Sequence, residues 1–322
     1  MQKLEVFGAN KLKGQINISG SKNASLPILA ATLLSKKNIN LKNLPNVKDI
    51  KTMLVLLESL GSKINRLKDK IVINNLNQDK SFASYNLVKT MRAGILVLGP
   101  LLAKFGKAKV SSPGGCSIGV RPIDIHLMAL SKLGVKYKIN QGYVHATAPK
   151  GLIGSKIRFS KVSVGATENI IIAACLAKGT TILSNCAIEP EIKDLVNFLI
   201  KIGCNIKWTS KRTIKILGVR EINQATYTVM FDRIEAGTYL IAAAATEGNL
   251  KIKRVIPNII QTEIKILKKI GAKISIKKDE IHIIGNQKIK SVNIKTSPYP
   301  GFPTDLQAQI MVLLCKANKK SL

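Results

Sequence analysis

The chain has 322 residues, 46% of them hydrophobic, with 51 Lys and Arg against 18 Asp and Glu for a formal net charge of +33. That length and apolar content exclude a disordered chain and predict two globular domains. The charge points to nucleic acid as a partner, but the lysines are spread along the whole sequence beside Ile and Asn, and a single tryptophan among few aromatics leaves little to stack on bases, so that class is set aside.

The opening Met1-Gln2-Lys3-Leu4-Glu5-Val6 carries no signal-peptide core, and the longest apolar runs are broken short of a membrane span, so a cytoplasmic chain is expected. The first predicted elements are a short strand and an apolar helix in INISGSKNASLPILAATLL. A second helix ends at Gly61 in LLESLGSKINRLKDKIVI and gives way to two short alternating strands. The pattern returns in YNLVKTMRAGILVLGPLLA with ALSKLGVKYKINQGYVHA at Gly134, and in KVSVGATENIIIAACLA with FLIKIGCNIKWTSKRTIKI at Gly203. It returns again in YTVMFDRIEAGTYLIAAAA with ILKKIGAKISIKKDEIHI at Gly271. The repeat interval is about seventy residues.

Each of these glycines suits a helix C-cap. Pro45, Pro122, Pro190 and Pro257 precede the second helix of each unit, where a first helical turn tolerates proline. The unit reads strand-helix-strand-helix-strand-strand, which predicts α/β architecture with mixed sheets covered by helices. A fifth unit opens at VNIKTSPYPGFPTDLQAQIMVLLCKANKK and reaches Leu322 just after its first helix. With three units to a domain, residues 20–228 make a three-repeat domain. Residues 1–19 with 229–322 make a second one that is incomplete, and about 100 further residues would finish six units.

The five cysteines, Cys116, Cys175, Cys186, Cys204 and Cys315, form no CxxC pair and no Cys/His spacing suited to zinc. A reducing compartment is expected, with neither a metal nor an organic cofactor. Cys116 differs from the others in its setting, the run Pro113-Gly114-Gly115-Cys116-Ser117-Ile118-Gly119-Val120-Arg121-Pro122. Its glycines let backbone N–H groups approach a ligand, Arg121 adds a fork of donors suited to phosphate or carboxylate, and neighbouring positive charge lowers a thiol pKa from about 8.5. The plain alternative is a buried structural cysteine beside an ordinary turn.

These segments carry a resemblance. GSKNA (Gly20 to Ala24), TMRAG (Thr90 to Gly94), PGGCSIGVRPIDIH (Pro113 to His126), KVSVGATE (Lys161 to Glu168), DRIEAGT (Asp232 to Thr238) and FPTDLQAQ (Phe302 to Gln309) resemble the enolpyruvyl transferase family. The resemblance covers essentially the whole chain. It implies the family's two-domain inside-out α/β barrel of six repeats, and the cysteine loop resembles the branch acting on a nucleotide-sugar rather than the shikimate branch. The implied reaction moves enolpyruvate from phosphoenolpyruvate to the 3-hydroxyl of UDP-N-acetylglucosamine with release of phosphate, the first committed step of peptidoglycan synthesis. The alternative, given the missing final part, is a chain that only binds the nucleotide-sugar.

By the same resemblance Cys116 is the proton donor and Asp305 the base. Lys22, Asn23 and Arg121 hold phosphoenolpyruvate. Arg92, Arg121, Pro122, Ile123, Asp124, Ile125, Lys161, Val162, Ser163, Val164 and Asp305 hold the nucleotide-sugar. Each has a plainer reading. Lys22 and Arg92 suit solvated charge or a surface ion pair, Asn23 and Asp305 suit helix caps, and Asp124 suits a dipole-stabilising acid in a first turn. Glu168 and Glu235 begin equivalent helices and read as supporting residues.

Overall fold

A computed structural model describes residues 3–8, 10–84, 91–112 and 123–322, with Arg92 described by its main chain alone. Among the described residues four sheets of four strands share one topology. An edge strand pairs in parallel with a second strand, which pairs antiparallel with a third, and a hairpin partner closes the other edge. The sheets comprise Ala225–Thr228, Ile39–Lys42, Lys70–Asn74 and Lys63–Arg66; Phe82–Ala83, Lys107–Ser111, Tyr143–Thr147 and Lys136–Asn140; Lys156–Arg158, Thr180–Ser184, Thr213–Leu217 and Asn205–Ser210; and Lys13–Asn17, Asn249–Lys253, Glu280–Ile284 and Lys273–Ile276.

The chain divides into a larger unit, Gly20–Met230, and a smaller one, Met1–Ser19 with Phe231–Leu322. Two edge strands leave the repeat they precede in sequence. Lys13–Asn17, ahead of the first repeat, pairs with Asn249–Lys253 of the fourth inside the smaller unit. Ala225–Thr228, ahead of the fourth repeat, pairs with Ile39–Lys42 of the first inside the larger unit. In the larger unit the Asp194 carboxylate anchors this strand, accepting from the Tyr227 hydroxyl at 2.7 Å and from the Met230 N–H at 3.2 Å.

Within the larger unit the inner helices Lys22–Ala31, Leu98–Phe105 and Val164–Ala174 are buried nearly all round and pack on one another. The outer helices Lys48–Ser59, Asp124–Lys132 and Pro190–Lys201 present one face to that core. In Pro190–Lys201, Lys193, Asn197 and Lys201 mark the wet stripe at helical spacing. The smaller unit holds the inner helix Arg233–Ala245, the outer helix Gln261–Ile270 and the helix Gln307–Leu314. On the last of these, Met311 and Val312 are 57% and 67% exposed, unlike the inner helices of the larger unit.

The predicted glycine caps are present at all four positions. Gly61, Gly134, Gly203 and Gly271 have φ of 100°, 90°, 99° and 118°. In each case the next N–H reaches back to the helix, Ser62 to Leu57, Val135 to Leu130, Cys204 to Leu199 and Ala272 to Leu267, all within 3.2 Å. This is the six-to-one bond of a Schellman cap. The prolines are less uniform than expected. Pro190 opens its α-helix and Pro257 opens a 3₁₀ turn, but Pro45 lies ahead of a helix that begins at Lys48, and Pro122 falls outside the described residues. The opening strand of the third repeat lies earlier than predicted, at Lys156–Arg158, because Ser163 already caps a helix where KVSV reads as strand; the second repeat has a strand at Phe82–Ala83, and Tyr85 to Thr90, where its opening strand is predicted, lie outside the described residues.

Gly134→Ala isolates the cost of the left-handed cap, since an added Cβ meets only the Gly151 carbonyl at 4.0 Å. The expected loss is about 1–2 kcal/mol, read as a lower urea midpoint with an unchanged slope.

Candidate functional site

The GSKN segment is built around a close backbone crossing. A Cβ on Gly20 would lie 1.6 Å from the Asn43 carbonyl oxygen, so no other residue fits there. Asn43 has φ of 59°, and its amide donates to the Val229 carbonyl at 2.9 Å, while the Ser21 N–H donates to the Met230 carbonyl at 2.8 Å. Ser21, fully buried, caps the Lys22–Ala31 helix by accepting from the Ala24 N–H at 3.2 Å. The capping role that Asn23 could have filled therefore belongs to Ser21. Pro27 cannot donate the backbone bond that normally reaches the Asn23 carbonyl.

Lys22 is the first residue of this helix, with Nζ 3.4 Å from Asp49 Oδ2 and side chains 43% and 38% exposed. A pair so exposed is worth about 1 kcal/mol or less, and a bound anion competes with it readily.

Three further helix starts carry candidates. Arg92 opens the 3₁₀ segment Arg92–Val97, which packs against the Lys22–Ala31 helix. Ile123 precedes the Asp124–Lys132 helix, in whose first turn Asp124 is exposed and Ile125 is 6% exposed, so Ile125 has mainly its backbone to offer a ligand. Lys161 and Val162 lead to Ser163, whose hydroxyl accepts from the Ala166 N–H at 3.4 Å at the start of the helix whose first residue is Val164. Main-chain N–H groups at such starts lack intrahelical acceptors and favour anions. Cys116, Arg121 and Pro122 lie outside the described residues.

Sequence reasoning did not single out Asn169 and His126. Asn169 is fully buried, with Oδ1 accepting from the Gly99 N–H at 2.8 Å and Nδ2 donating to the Ile95 carbonyl at 3.1 Å. Its Nδ2 also lies 3.1 Å from His126 Nδ1. These contacts join residues far apart in sequence, so no local pattern marks them.

Asp305 belongs to the smaller unit. It is exposed, in a 3₁₀ turn Thr304–Leu306 ahead of the Gln307–Leu314 helix, and no side chain caps that helix. The capping alternative for Asp305 is thus not the one the fold uses. Leu306, fully buried, seats the turn on Gly237, where an added Cβ would come within 2.4 Å of Leu306 Cδ1. In the same unit Asp232 caps its helix through the Ile234 and Glu235 N–H groups at 2.9 and 3.0 Å, and Glu235 accepts from the Ser19 N–H at 3.0 Å, a supporting role.

Burial sets the remaining ionisable groups apart. The Cys175 thiol is pushed well up by burial, and Cys186 to about 12, so neither is a nucleophile at neutral pH. Glu168 is pushed well above the ordinary carboxylate range, first by burial and then by the charges of Glu191 and Glu189. Because the folded state holds this proton more tightly than the unfolded chain, the contribution of Glu168 to stability is fully present below the ordinary carboxylate range and is lost as pH rises above it. Glu168→Gln removes that part of the decline, a result read from urea midpoints measured across pH.

The family model for EPSP synthase (3-phosphoshikimate 1-carboxyvinyltransferase) matches residues 6–321. The chain is 76% identical over 321 residues to a protein of Pelagibacter ubique (strain HTCC1062) named UDP-N-acetylglucosamine 1-carboxyvinyltransferase, covering all of this chain and 77% of that one. It is 48% identical, with the same coverage, to a protein of that name from Geotalea uraniireducens (strain Rf4). Among solved structures, the enolpyruvyl transferase NikO from Streptomyces tendae superposes with a TM-score of 0.85 at 20% identity, over 96% of this chain and 74% of that one. EPSP synthase from Acinetobacter baumannii gives 0.69 at 18% identity, over 89% and 68%. These structures share the fold, and the family match together with the two close relatives establishes that the chain belongs to the EPSP synthase family of enolpyruvyl transferases.

Proposed function

We propose that this chain transfers the enolpyruvyl group of phosphoenolpyruvate to the 3-hydroxyl of UDP-N-acetylglucosamine, releasing phosphate, in the first committed step of peptidoglycan synthesis. The observation that carries it is 76% identity along the whole chain to a relative named for that reaction. We place the activity in the cytoplasm.

The reaction needs an acid, a base and a cationic clamp. In our assignment the Cys116 thiol protonates the methylene carbon of phosphoenolpyruvate, and positive charge develops at the adjacent carbon bearing the phosphate. The sugar hydroxyl attacks that carbon while the Asp305 carboxylate takes its proton. Loss of phosphate, with return of a proton from the methyl group to the enzyme, restores the double bond. Lys22 and Arg121 neutralise the phosphate and carboxylate, and Asn23 hydrogen-bonds at the reacting centre. Arg92 and the segments Arg121 to Ile125 and Lys161 to Val164 hold the nucleotide-sugar. Two features support these roles: the ion pair of Lys22 with Asp49 is exposed, and no side chain caps the Gln307–Leu314 helix that Asp305 precedes.

Phosphate release by the purified 322-residue chain is expected to require both substrates. Cys116→Ser and Asp305→Asn should each lower it by about 100-fold or more. A folded chain that binds the nucleotide-sugar and releases no phosphate would replace this reading with one of binding alone.

A further inference from the structure

We infer that Asn169, acting with His126 and Gly99, is a positioning residue that holds together three helical segments of the larger unit, those that begin at Arg92, Asp124 and Val164 and carry proposed nucleotide-sugar contacts; this rests on the reaction proposed above.

One side-chain amide bonds the stretch from Arg92 and the helix from Asp124, and is carried by the helix from Val164. Its Oδ1 takes the Gly99 N–H and its Nδ2 reaches the Ile95 carbonyl, so it ties down the stretch that begins at Arg92. Its Nδ2 also meets His126, which follows Asp124 and Ile125 in the first turn of their helix. Asn169 itself lies on the helix that starts at Val164. The edge of the His126 ring closes the arrangement against the same helix, since a Cβ on Gly165 would stand 3.3 Å from its Cε1 and 3.4 Å from its Nε2. Gly99 has no room for a side chain, because a Cβ there would lie 2.3 Å from Asn169 Oδ1 and 2.6 Å from the Asn169 carbonyl.

The donors and acceptors fix the orientation. The Gly99 N–H needs an acceptor, so Oδ1 must face it, and both amide hydrogens then point at Ile95 and His126. His126 Nδ1 is therefore an acceptor, and the ring proton belongs on Nε2. A buried network of this kind has one satisfied arrangement, and an alternative packing of the three segments leaves an amide or a backbone group without its bond. Displacing binding groups by about 1 Å costs up to about 100-fold in the function they serve.

The test uses the 322-residue chain and Asn169→Ala, with Asn75→Ala as the control. Asn75 is also fully buried, and it bonds the Thr32 and Ser35 carbonyls and the Ser62 hydroxyl, outside the three segments. Both variants are expected to lose stability, but only Asn169→Ala should weaken UDP-N-acetylglucosamine binding by calorimetry, by about tenfold or more. His126→Leu should weaken it likewise and His126→Gln, which keeps an acceptor, should restore it; this pair decides the matter if Asn169→Ala does not fold. Nitrogen NMR of the three histidines should find His126 as the Nε2–H tautomer. The inference is overturned by an Nδ1–H tautomer, by unchanged affinity in Asn169→Ala or His126→Leu, or by an equal loss in Asn75→Ala. A wild-type chain that binds no nucleotide-sugar overturns the proposed reaction itself, and the positioning role with it.

Discussion

An α-helix buried on every side can offer polar groups to a ligand from solvent only at its ends, and Lys22–Ala31 and Val164–Ala174 are helices of this kind. Their flanks are committed to packing, at roughly 25 cal/mol for each Å² of apolar surface removed from water. The first-turn N–H groups remain, unsatisfied by the helix and carrying the positive end of its dipole. A fold made from repeated inner helices therefore generates a set of anion-favouring starts before any residue is chosen for chemistry. Candidate binding residues gather at those starts for this reason: Lys22 and Asn23 on one helix, Lys161 to Val164 on another.

The exchange of edge strands gives each start its surroundings. Because Ala225–Thr228 pairs with the first repeat, the carbonyl of Met230 is delivered to the N–H of Ser21, and Asn43 binds the Val229 carbonyl directly beneath Gly20. The matching exchange in the smaller unit brings Ser19 to Asp232 and Glu235, where the Asp232 N–H donates to the Ser19 carbonyl at 2.9 Å. Glycine at position 20 is thus a demand of the backbone crossing, and the motif that contains it joins a structural requirement to a chemical one.

Much of this was legible in the sequence because it is local. The glycine caps recur at fixed distance from an apolar helix, and a left-handed cap has a strong residue preference, so four copies of the same punctuation reveal the repeat. The prolines mark the helix starts less sharply because their tolerance extends over several positions there: among the described residues Pro190 opens an α-helix, Pro257 a 3₁₀ turn, and Pro45 lies ahead of its helix. The role of Ser21 was obscured by Asn23, since both residue types cap helices and the sequence does not say which lies at the boundary. The Asn169 network was invisible for a different reason. Its partners Gly99 and His126 are brought to it by packing of helices from separate repeats, and an asparagine inside an apolar helix has no pattern of its own.

The repeats also show where a fold separates structure from chemistry. Each outer helix carries an acid in its first turn, Asp49, Asp124, Glu191 and Glu263, where the dipole favours negative charge. That shared feature needs no ligand to explain it, even though Glu191 and Glu263 are each only 3% exposed. Three inner helices share a side-chain cap, Ser21, Ser163 or Asp232, which Leu98–Phe105 lacks, but the residues after it diverge to Lys22-Asn23, Val164-Gly165 and Arg233-Ile234. What is common to the copies answers to helix termination and packing, which are the same problem in each. What differs sits where the backbone already favours an anion, so a change of side chain there alters recognition without disturbing the cap that holds the helix.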